Sequence, residues 1–124
     1  MNQKNMFTAF AAILVLQGIF FYLMGDKIVS DAFTNLDETG KFAAINLMQV
    51  LSMLSIALGL ISYAARNTPE VLWAFTIGFG LLCIISLKHL LADHINVPIP
   101  ALIIQIGIVL ISAYLWMQSG KTQA

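Results

Sequence analysis

His89 and Asp93 stand four residues apart, one helical turn, and form the most chemically suggestive pair in the chain. A carboxylate that holds one imidazole nitrogen fixes the ring and raises the basicity of the other nitrogen. That arrangement suits a proton relay, a metal or haem ligand, or a lipid-headgroup contact. The plainer reading is a polar helix end held at the membrane surface. His94 falls about 140° away around a continued helix, off the face of His89. The chain has 2 histidines, so haem held between helices lacks a second ligand at matching depth. No metal site and no cofactor are expected.

A second group of polar residues lies inside apolar sequence. Gln17, Asn46, Gln49, Ser86 and Gln105 join His89 and Asp93 as the candidate ligand-binding set. Gln17, Gln49 and Gln105 can converge inside a bundle, where three amides satisfy one another or bind a lipid-like head or a quinone carbonyl. Gln49, Ser52, Ser55, Gly59 and Ser62 cover about 140° of a helix circumference. A stripe of small and polar groups lets membrane helices approach closely and hydrogen-bond across the contact. Ser52, Ser55, Gly59, Ser62 and, on the next helix, Gly78 are therefore read as packing positions.

The elements that must carry these residues are four apolar runs, 6–24, 42–65, 71–87 and 101–117, none containing Asp, Glu, Lys, Arg or His. A hydrocarbon core about 30 Å thick needs about 20 apolar residues of helix. The runs show no alternation of the kind a transmembrane barrel strand requires. The chain is 60% hydrophobic and 10% charged, against about 25% charged in soluble domains. An all-α, four-helix transmembrane bundle follows, antiparallel and up-down, as one integral membrane domain with helices near 6–24, 42–65, 70–92 and 99–118. The first run is longer than a signal-peptide core and reads as a retained helix. Zero net charge gives no electrostatic case for nucleic acid. Cys83 stands alone and reads as a small packing residue.

The connections have their own signals. Arg66-Asn67-Thr68-Pro69-Glu70 is short enough to predict a hairpin of the second and third spans, with Thr68 as helix cap. Pro98 and Pro100 predict a helix start near Ile99. In the longest connection, 25–41, Ile28, Val29, Ala32, Phe33 and Leu36 recur on one face. This predicts a short interfacial helix, capped by Ser30 or Asp31 and ended by Gly40. Even spanning puts both termini on one side. Lys4, Arg66 and Lys121 balance Lys27, Lys41 and Lys88, and discounting Lys88 as a snorkelling residue places the termini in the cytoplasm. Trp73, Trp116, Tyr114, Tyr22 and Tyr63 suit aromatic belts.

The layout resembles the small four-helix membrane proteins of the DoxX-like group. The resemblance rests on Gln17-Gly18 followed by a longer polar loop, on the Ala64-Ala65-Arg66 turn, and on the stretch from Lys88-His89 to Pro98-Ile99-Pro100. Where that group often has Arg or Glu near the start of its second helix, this chain has Asn46. The resemblance implies a small multi-pass protein of a bacterial inner membrane. Some members are linked to quinone-coupled oxidation or act as small subunits beside larger proteins.

Three functional classes remain. The first is a structural or accessory subunit of a larger membrane complex, in contact with other membrane subunits or with itself. The second binds or transports a lipid, quinone or other hydrophobic molecule. The third is a membrane oxidoreductase component. No nucleophile-base-acid triad, phosphate loop or paired intramembrane carboxylate is present, which argues against a self-contained hydrolase, phosphotransferase or ion-coupled pump.

Overall fold

The computed structural model describes residues 2–92 and 98–122, and these form five helices: α1 (Gln3–Leu23), α2 (Gly25–Ala32), α3 (Glu38–Ala64), α4 (Val71–Leu91) and α5 (Ile99–Thr122). Helices α1, α3, α4 and α5 are each long and apolar enough to cross a membrane. They are apolar nearly all round, as lipid-solvated helices must be when every backbone group is satisfied within the helix. The fold is an all-α bundle of four spans with a short helix in the first connection.

Helix pairing departs from the loop-based expectation. The bodies of α3 and α4 do not touch, although six residues join them; α3 packs on α1, and α4 packs on α5. Surface shape decides this. Gly18 lies so close to α3 that an added Cβ would sit 2.6 Å from the Ser52 carbonyl oxygen. Reciprocally, a Cβ at Gly59 would sit 2.9 Å from the Ala11 carbonyl oxygen. The contacts run from Gly25–Met48 through Gly18–Ser52 to Ala11–Gly59, so the two helices are antiparallel.

Large apolar side chains join the two pairs. Phe7, fully buried, meets Phe75 of α4 edge to face with ring centroids 5.0 Å apart. Phe75 stacks on Phe79 at 5.6 Å. Met6, Phe10, Leu14, Leu72, Ile108 and Leu115 complete this core. Its α1 and α4 members come from the first halves of those helices, so the bundle is packed most tightly toward the side of the termini. Helix α3 buries only Ser52, Gly59 and Ser62. It is held by close backbone approach rather than by large side chains.

The first connection also differs from its prediction. Helix α2 starts at Gly25, directly after α1, and ends at Ala32, leaving Phe33 and Leu36 exposed. Val29 is buried, while Asp26, Lys27, Ser30 and Asp31 face outward. Ser30 does not cap; its hydroxyl donates to the Asp26 carbonyl. Gly40 does not terminate this helix, because Asp37 claims its N–H at 2.7 Å and caps α3 four residues earlier than the apolar run begins. Lys41 then pairs with Asp26 at 3.1 Å, tying α3 to α2. In the short loop, Thr68 makes no side-chain cap either. Its carbonyl accepts from Val71 and that of Pro69 from Leu72, so backbone turns lead into α4.

Candidate functional site

The stripe on α3 forms the α1 seam. Ser55 donates to the Leu14 carbonyl at 2.8 Å, the hydrogen bond that crosses between the two helices. Ser52 and Ser62 are buried and donate to Met48 and Leu58 in their own helix. Gly78, by contrast, faces open space: a Cβ there would meet nothing within 4 Å. Among the described residues it meets no neighbour, because α4 turns its Leu72, Phe75 and Phe79 face to the core instead.

The three glutamines occupy three different places. Gln17 lies in a groove of about 340 Å³ between α1 and the start of α5, walled by Ile13, Leu16, Phe20, Phe21, Pro98, Pro100, Ala101 and Ile104. Its Oε1 is buried and has no hydrogen-bond partner among the described residues. Gln105 of α5 accepts from the Ser86 hydroxyl of α4 at 3.1 Å, a polar link inside the second pair. Gln49 lies with Asn46 on the outer face of α3. Gln49 sits at the edge of the stripe, about 60° around the helix from Ser52, and lines the outer groove while Ser52, Ser55 and Gly59 meet α1.

That outer face is a shallow, open groove lined by Tyr22, Asn46, Gln49, Val50, Met53, Leu54 and Ala57. On α3 these positions follow the i, i+3, i+4, i+7, i+8 and i+11 spacing of one helical face. Asn46 and Gln49 lie about 7.5 and 12 Å along the axis from Lys41, inside the apolar span. Neither amide has a hydrogen-bond partner among the described residues. Sequence reasoning singled out both amides but not the Tyr22 that flanks them. It passed over Phe20 and Phe21 and read Pro98 and Pro100 only as helix-start signals, although the apolar surfaces of all four enclose Gln17.

His89 is half-buried in the last turn of α4, next to the exposed Lys88. The predicted pairing with Asp93, and His94 beyond it, lie outside the described residues. Among the described residues, no three His, Cys, Asp or Glu side chains gather as a metal site would require. At the other end of α4, Pro69, Glu70 and Trp73 meet Trp116, Ser119 and Gly120 of α5 around a cleft of about 220 Å³. The two indoles stand near the first turn of α4 and the last turns of α5, at the same end of the pair.

Comparison with protein-family models, with curated proteins and with solved structures finds no match. What the described residues show is an all-helical bundle with four apolar helices of membrane-spanning length.

Proposed function

We propose that this protein is a small accessory subunit of a larger membrane assembly, formed with other membrane subunits or with further copies of itself through the outer face of α3. One observation carries the reading. Asn46 and Gln49 project from an apolar span with no partner among the described residues. Hydrocarbon offers an amide nothing to bond, and the side chain of Asn is too short to reach water from that depth. Interhelical hydrogen bonding by Asn and Gln is a recognised source of membrane-helix association. The resemblance to the DoxX-like group points the same way, since some of its members act as small subunits. A bacterial inner-membrane location with both termini cytoplasmic belongs to this proposal. Solubilisation in mild detergent tests the association: the wild-type chain migrates in a larger species, and Asn46→Leu with Gln49→Leu releases it. Migration of the wild type as a lone monomer would overturn the reading.

The groove at Gln17 favours a second reading, a binding protein for a lipid, quinone or other hydrophobic small molecule. Its volume falls at the lower end of small-molecule pockets, and its lining is apolar with one convergent amide. Mass spectrometry of the gently purified protein would identify a retained molecule, and Gln17→Leu would lower its occupancy. The third reading, an oxidoreductase component using His89 and Asp93, would be revealed by cofactor absorbance in the same preparation.

A further inference from the structure

The amides on α3 also indicate what covers them. We infer that the outer face of α3 docks on α3 of a second copy of this chain, with Asn46 meeting Asn46 and Gln49 meeting Gln49. The inference rests on the proposed association through α3 and names its partner.

Two copies inserted in the same direction can be related by a two-fold axis along the membrane normal. Under that symmetry every residue on the contact line faces its own counterpart at the same depth. Few polar side chains tolerate this. Two carboxylates or two ammonium groups would repel. An amide carries both donors and an acceptor, so two identical amides bond reciprocally. The polar groups that α3 contributes to this groove are both amides, separated by about 4.5 Å in depth. An unrelated partner would need matching donors and acceptors at two depths; a second copy supplies them by symmetry.

The rest of the face suits the same contact. Val50, Met53 and Leu54 are about half exposed and stand on the same side as the amides, and Ala57 continues the line with a small residue. The seam used by α1 runs through Ser52, Ser55 and Gly59 and starts about 60° around the helix from Gln49, on the side away from Asn46. A second copy therefore approaches without disturbing it. Helix α3 packs on α1 and α2 alone among the described helices, so neither α4 nor α5 stands in the way.

Cysteine cross-linking in native membranes tests this. In a Cys83→Ser background, Met53→Cys should give an oxidant-dependent band of twice the chain mass, and Ile84→Cys, on the exposed side of α4, should not. Adding Asn46→Leu and Gln49→Leu should reduce the band at least about fivefold. Equal cross-linking at Met53→Cys and Ile84→Cys would indicate random collision and overturn the inference. A Met53→Cys adduct to a different protein, with no doubled-mass band, would overturn the second copy but leave association through α3 standing. No adduct at all, together with a detergent mobility insensitive to both amide substitutions, would remove both.

Discussion

The Ser55 hydroxyl donates to the Leu14 carbonyl across the α1–α3 contact at 2.8 Å, joining residues 41 positions apart. The bond forms because Gly18 and Gly59 flank it on either side and bring the two backbones together. Small residues and a polar crossing bond are thus combined in one seam, in a setting where lipid is as apolar as the side chains and exclusion from water contributes no drive.

Replacing Ser55 by alanine removes that bond while leaving the close approach intact. The Leu14 carbonyl keeps its helical partner, so no orphan group is created. The expected loss is about 0.6 kcal/mol, the average measured for such bonds within membranes. Reversible unfolding in mixed detergent micelles would measure it. A loss several times larger would mean that the hydroxyl, rather than the glycines, sets the separation of the helices.

Gly18→Ala should be far more damaging than Gly78→Ala. At Gly18 the new methyl meets the Ser52 carbonyl oxygen at 2.6 Å and the Ile56 side chain at the same distance, and backbone cannot yield cheaply. Overpacking of this kind costs about 1–3 kcal/mol. At Gly78 the methyl enters open space, and the effect should stay within about 0.5 kcal/mol. The two variants compared in one unfolding assay check the pairing of α1 with α3 directly.

Asp37→Ala should unravel the start of α3. The carboxylate holds the Gly40 N–H at 2.7 Å, and a lost cap costs about 1 kcal/mol. Lys41, one residue further on, would lose its fixed position against Asp26. Amide hydrogen exchange should quicken over residues 38–42 and remain unchanged around Ser55.

Gln17→Leu should stabilise the empty protein. The substitution removes a buried oxygen that has no donor among the described residues, worth about 1 kcal/mol, and keeps the apolar wall of the groove. A raised unfolding midpoint is the expected result. A fall would show that the amide is satisfied in the membrane by a bound group.

The four spans were legible in the sequence because length and hydropathy suffice to identify them, and the prolines marked the start of α5 as Ile99. Pairing was harder to read. A short connection brings the ends of α3 and α4 together, but side-chain relief decides which bodies touch, and the small residues of α3 fit α1. The boundary of α3 was missed by four residues because a polar cap, Asp37, outweighs the hydropathy edge at Phe42. Gln17, Gln49 and Gln105, which spacing alone allows to converge, occupy three different places for a related reason. Spacing fixes which residues share a face of one helix, but how each helix is rotated depends on its neighbours. Within the stripe on α3, Ser52, Ser55 and Gly59 meet α1 while Gln49, at its edge, lines the outer groove, and nothing in the stripe names the helix it will meet.

The position of α1, bordered by α3 on one flank and by α4 and α5 on the other, has a consequence for biosynthesis. Among the four spans this helix is made before the others, yet its glycine-lined flank has no mate until translation has passed residue 64. The early product is then a hairpin whose Phe7 and Phe10 side is still bare to lipid. Helices α4 and α5 pack on each other and meet that side through Phe75, so an error in α1 should disturb both its contact with α3 and its contact with the later pair.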